Sequence, residues 1–197
     1  MIVTYRIETR NLYLRYALDT FSLPQSNQPD TCIIDLSSFT TLRAILQCII
    51  KHRDTQRFLF IGNSGMYSRT LRPLISLDSQ LPLQKFYEKL WHCPGVSYDM
   101  AINLLLTHCN IDNYSHQEKT TVYSLLMRDT MRQAARYIGI SDKQFYKRID
   151  QLTKKFNQRG GLQTHFLLRR EFHPEYVRAR ISVQLRISLR QNFNSRF

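Results

Sequence analysis

The chain has 197 residues with a hydrophobic fraction of 43%, enough for one domain or two small ones with ordinary cores. Its net charge is +13, divided unevenly: residues 1–100 hold 11 Lys/Arg against 8 Asp/Glu (+3), and residues 101–197 hold 17 against 7 (+10). No apolar run approaches the roughly 18 residues of a membrane span, and the start "MIVTYRIETR" lacks the features of a secretion signal, so the expectation is a cytoplasmic protein with no membrane partner.

An excess of cations in one half points to a polyanion such as DNA, RNA or an acidic surface. Charge alone does not choose among them.

In the first half, "MIVTYRIET" alternates as a strand does. "NLYLRYALDTF" (11–21) reads as a helix and "SLPQSNQPD" (22–30) as a loop. "TCIIDL" is a short apolar strand. "TTLRAILQCIIKH" (40–52) is an amphipathic helix through Leu42, Ile45, Leu46, Ile49 and Ile50. "RFLFIGNS" and "PLISL" read as strands, and "LQKFYEKLW" (83–91) as a helix. Strands alternating with helices predict an α/β domain with a mostly parallel sheet over residues 1–93.

"CPGVS" (93–97) breaks that pattern. Residues 94–113 are expected to be a linker with a helix, "YDMAINLLLTH" (98–108). "SHQEKTTVYSLLM" (115–127) reads as a helix with a capping box formed by Ser115 and Glu118. Residues 130–156 read as two short helices around Gly139, the second capped by Ser141. Phe145, Ile149, Leu152 and Phe156 step by 4, 3 and 4, the stripe of a helix facing a core. The other face carries Lys143, Tyr146, Lys147, Arg148, Lys154 and Lys155. A second helix with a cationic outer face, after a tight turn, is the sequence form of a helix-turn-helix. "LQTHFLLRR" (162–170) is a last short helix, ending an all-α domain over 114–170.

Residues 171–197 form a basic extension. From Val177 to Leu189 every odd position is apolar, a strict period of two that signals a strand. Its partner is open: another chain, the domain's own sheet edge, or none until the tail meets DNA. The four cysteines contain no CxxC. His92-Cys93 and His108-Cys109 lack zinc-ligand spacing, so reduced, partly buried thiols are expected, with no metal and no cofactor. No Gly-rich phosphate loop, GxSxG or helically spaced carboxylate pair is present. Neither an enzyme nor a small-molecule substrate is expected.

Residues 114–156 resemble the LuxR-type helix-turn-helix without a gap. Tyr114-Ser115, Glu118, and Val122 with Leu125 and Leu126 stand at the family's opening positions. "AARYIGIS" (134–141) matches its turn, "QFYKR" (144–148) its recognition start, and Lys155-Phe156 its later "KL". Gln144, Phe145, Arg148 and Arg128 depart from the signature. The front half resembles a degenerate, truncated receiver domain of the NarL/FixJ response-regulator kind, with "TCIIDLSSF" at the phosphoacceptor strand and "LISLDSQLPLQKFYEKL" at the last strand and helix. That alignment puts the acceptor position at Asp35. The acidic pair after the first strand is missing, Leu77 replaces the expected Lys, and one strand–helix unit is absent before Asp35. Phosphoryl transfer needs metal-binding acids and a cation, so Asp35 is expected to be structural. The arrangement is similar to enterobacterial auxiliary regulators that keep a receiver-shaped domain for pairing.

The resemblance implies a transcription regulator that binds double-stranded DNA as a homodimer, or as a heterodimer with another regulator. Base contacts fall to Tyr146 and Lys147, with Gln144 and Lys143 beside them. Phosphate contacts fall to Arg148, Lys154, Lys155 and Arg159. Asp150 is read as pairing with Lys154 in preference to accepting from cytosine. Dimerisation is implied through Leu162, Phe166 and Leu167, and the same stripe also suits packing within the chain. The rival reading is a protein-interaction module or anti-activator that pairs with another regulator without reading DNA.

Overall fold

The computed structural model describes residues 5–21 and 30–182. The chain divides into two compact units, Met1–Thr107 and His108–Phe197.

The first unit is α/β. Its elements are β1 (Tyr5–Glu8), α1 (Leu12–Phe21), β2 (Thr31–Asp35), α2 (Leu42–Lys51), β3 (Arg57–Gly62), α3 (Met66–Thr70), β4 (Ile75–Asp78), α4 (Leu83–His92) and α5 (Tyr98–Cys109). The four strands are parallel, in the order β1-β2-β3-β4. The two central strands are buried almost throughout, as strands covered on both faces must be, and this explains their unbroken apolar sequence. On one face Ile33, Leu59, Ile61 and Leu77 pack with Leu18 of α1 and Leu90 of α4. On the other, Glu8 of β1 meets the end of α2, where Lys51 and His52 reach its carboxylate at 3.4 and 2.6 Å.

Helices α1 and α2 therefore cover opposite faces. The steps β1→β2 and β2→β3 run the same way across the sheet, so the two crossovers have opposite hands. About 98% of such connections are right-handed.

Residues 94–107 of the expected linker are built into this unit, and residues 108–113 belong to the second. Val96 pairs with Phe58 through two 2.8 Å backbone hydrogen bonds, and Ala101 and Leu105 are buried. Gly95 makes the approach possible: its φ is +73°, and a Cβ there would stand 2.9 Å from the Phe58 carbonyl oxygen. The five-residue α3 was not anticipated, being too short to show a period.

The second unit is helical among its described residues. It holds α6 (His116–Met127), α7 (Met131–Tyr137), α8 (Asp142–Lys155), α9 (Gly161–Glu171) and a further helix, α10, described over 174–182. The stripe read from the sequence is its core: Phe145, Ile149, Leu152 and Phe156 are 0–3% exposed. Ala134, Ala135, Val122, Leu125 and Leu167 close around them.

The strand expected from Val177 is corrected over its first residues. Residues 177–182 are helical, and residues 183–189 lie outside the described residues. Val177 and Ile181 also stand four apart, so the pattern suits a helix as well. Pro174 as the first helical residue, followed by Glu175, starts one favourably. Val177 is buried and Arg180 pairs with Asp112 at 3.3 Å.

Candidate nucleic-acid interface

Helix α7 ends in a Schellman motif. The Ile140 amide donates to Ala135 O and the Gly139 amide to Arg136 O, both at 3.1 Å. Gly139 takes the left-handed position at φ +68°. The chain turns there and α8 begins at once. Ser141 accepts from the Gln144 amide while the Gln144 side chain accepts from the Ser141 amide, both at 3.3 Å, a complete capping box. A second capping box, Ser115 with Glu118, starts α6 as the sequence suggested. Asn157, at φ 52°, closes α8 with a further Schellman pair, Gln158 N to Thr153 O and Asn157 N to Lys154 O.

Burying one side of α8 leaves the other to solvent. Lys143, Gln144, Tyr146, Lys147, Asp150 and Lys154 are all exposed there. Among the described residues, neither Lys143 nor Lys147 has an ion-pair partner. Tyr146 is 56% exposed. Gln144 shares this face, but its carbonyl oxygen is committed to the cap and only its NH₂ group is left to donate.

The four expected phosphate contacts divide. Arg159 is exposed. Lys154 is exposed and pairs with Asp150 at 2.8 Å, the i,i+4 pair read from the sequence. Arg148 is half-buried, and with the Gln117 side-chain amide turned to present its oxygen, the guanidinium donates to that oxygen twice, at 2.9 and 3.2 Å. Lys155 turns inward. Its ammonium sits 3.0 Å from Glu118 and 3.9 Å from the Tyr114 ring centre, with 21% of the side chain exposed. Burial pushes the Glu118 carboxyl up, but the Ser115 amide and Lys155 together hold it below its usual value. Lys155 is thus a strut between α8 and the start of α6 rather than a free surface cation. Arg136 is an exposed cation on α7 that sequence reading passed over. Its signal was its position one turn before the Gly139 turn.

Leu162 and Phe166 lie one turn apart on α9, 63% and 54% exposed. Leu167, grouped with them in the sequence, is fully buried and belongs to the core. In the first unit a second apolar surface appears. Leu12, Tyr13 and Tyr16 of α1 are 76–90% exposed, beside a groove of about 180 Å³ whose lining includes Leu14, Leu18, Leu81, Phe86 and Leu90.

Asp35 is buried at the end of β2. Its carboxylate accepts from Thr9 Oγ1 at 2.8 Å, from the Ser37 amide at 3.0 Å, and from the Ser37 and Ser38 hydroxyls at 2.7 Å each. Hydroxyls stand around it where phosphotransfer needs acids and a lysine, and Leu77 is buried in the core.

No family model matches the chain, and no curated protein matches it.

Proposed function

We propose that the chain is a DNA-binding transcription regulator whose α7–α8 pair is a helix-turn-helix, with α8 reading the major groove. The observation that carries this reading is the outer face of α8. Unpaired Lys143 and Lys147 and the exposed ring of Tyr146 stand together at the capped start of a helix whose other side is core. In helix-turn-helix recognition the N-terminal residues of the second helix contact base edges and the first helix crosses the backbone. Lys147 donates to guanine O6 and N7, Tyr146 meets a sugar or a thymine methyl, and Lys154, Arg159 and Arg136 meet phosphate.

The first unit acts as a pairing domain, independent of phosphorylation. A receiver sheet has the order 2-1-3-4-5, and removing its second strand leaves the run found here. Removal also accounts for crossovers of opposite hand, since the first helix keeps its old face. The exposed side chains of α1 support a second reading, in which association through this unit with another regulator is the whole function.

Binding of promoter-rich genomic fragments, followed by gel retardation across a salt series, tests both readings. The DNA reading expects retarded bands that vanish as salt rises. Lys147→Ala should lose about 1–3 kcal/mol at one or two base positions and little elsewhere. No retardation at low salt, alone or with a partner regulator, would leave the pairing reading.

A further inference from the structure

In the first unit, three ligand-type side chains converge between β1 and the end of α2. Cys48 lies in the last turn of α2, and His52, four residues on, is that helix's C-terminal cap. Glu8 ends the neighbouring strand. One atom from each lies within 4.8 Å of the other two, and the cysteine and histidine are buried. We propose that Glu8, Cys48 and His52 form a binding site for a single zinc-class divalent ion.

The donor set is the kind such ions take. Thiolate, imidazole and carboxylate bind zinc at about 2.0–2.3 Å, which puts tetrahedral ligands about 3.3–3.8 Å apart. The direct 2.6 Å contact between His52 Nε2 and Glu8 Oε1 opens to admit the ion between them. The fourth position of a tetrahedral ion falls to water. Arg6 and Lys51 supply positive charge nearby: Lys51 Nζ is 3.4 Å from Glu8, and Arg6 Nη1 is 3.4 Å from His52 Nδ1.

Proton balance sets the conditions. Burial pushes the Cys48 thiol up to about 12, so it is protonated in the free protein. Binding exchanges that proton for the ion, and affinity rises with pH. His52 gives its Nε2 lone pair to the ion and carries its remaining proton on Nδ1. Arg6, a donor aimed at that nitrogen, must then turn away. Asp30 can receive it: its Oδ2 is 3.9 Å from Arg6 Nη2, and its Oδ1 is buried with no hydrogen-bond partner among the described residues. Arg6 thus opposes the ion, which makes it a second handle on the site.

The test is titration of the chelator-stripped full chain with cobalt(II), read by thiolate-to-cobalt charge-transfer absorption and tetrahedral visible bands, then displacement by zinc. One cobalt per chain is expected, lost in Cys48→Ser and His52→Gln and weakened in Glu8→Gln. Arg6→Gln, which offers Nδ1–H an acceptor, should tighten binding several-fold. Absence of charge-transfer bands in the parent would overturn the proposal, as would bands that persist in a folded Cys48→Ser. If Cys48→Ser fails to fold, unchanged affinity in both Glu8→Gln and Arg6→Gln overturns it equally.

Discussion

Lys154 and Lys155 are adjacent and identical in type, yet the first is exposed in a pair with Asp150 and the second is turned inward onto Glu118, and alanine at each separates the two settings. Exposed ion pairs contribute about 0–1 kcal/mol, and breaking a buried pair costs about 3–5 kcal/mol. The Lys155–Glu118 pair, 21% and 27% exposed, lies between these limits, and its cation–π contact with Tyr114 adds about 0.5–2 kcal/mol. Lys155→Ala should therefore destabilise the second unit by about 2–3 kcal/mol, a fall of roughly 10–20 °C in its Tm. The single tryptophan, Trp91, belongs to the first unit, so its fluorescence reports on that unit while far-UV circular dichroism follows both. The variant should lower the midpoint of a circular-dichroism transition. Glu118 also sets a pH signature. Its folded pKa is depressed, so its contribution is present above the unfolded value of about 4.3 and fades as pH falls through the folded value. Removing Lys155 should shrink that acid-side loss. In DNA binding, Lys155→Ala should keep the salt slope of the parent once folded, and Lys154→Ala should lower it by about one unit with little effect on Tm. The reasoning is refuted if Lys155→Ala leaves Tm unchanged and flattens the salt slope instead.

Three further substitutions probe other elements. Asp35→Ala removes an acceptor of four hydrogen bonds and should cost the first unit about 2–3 kcal/mol by tryptophan fluorescence; specific labelling of the parent by a small phosphodonor, lost in this variant, would contradict a structural role. Burial, then the charge of Lys155, lowers His108 to about 4 from about 6.5 in the unfolded chain, so the second unit should lose stability as pH falls from the higher value to the lower. His108→Phe should flatten denaturation midpoints across that window, and an unchanged profile would count against the assignment. Gly139→Ala should cost about 1–2 kcal/mol from its left-handed backbone alone, because a Cβ there meets nothing within 4 Å; Gly139→Asn should recover part of that in thermal denaturation.

What could be read in the sequence was what neighbours along the chain decide. The stripe from Phe145 to Phe156 announces a buried helix face whatever packs against it. The boxes Ser115–Glu118 and Ser141–Gln144 are closed within four residues. What could not be read depends on distant partners. Lys155 differs from Lys154 only because Glu118, 37 residues earlier, lies beneath it. Arg148 was drawn inward by Gln117. Glu8, Cys48 and His52 come from two segments some forty residues apart, and no spacing rule joins them. The tail misled for another reason: residues 177 and 181 satisfy a period of two and a period of 3.6 alike, and Pro174 tips the choice toward a helix.

The opposed hands of the first two crossovers have a consequence at the carboxyl ends of the strands. Open α/β sheets form a ligand crevice where adjacent strands send their connections to opposite faces, which ordinarily coincides with a reversal of strand order. Here the order never reverses, yet β1 leads to α1 on one face and β2 to α2 on the other. The fork survives between these two strands, and Asp35 and Thr9 stand in it. It is filled from within: the Ser38 hydroxyl donates to Asp35 at 2.7 Å and accepts the Arg10 amide at 2.8 Å. The two loops that would flank a bound ligand are tied to each other instead. An opening that in other sheets admits a small molecule serves here as a clasp, and it joins the first strand's loop to the second's without a ligand.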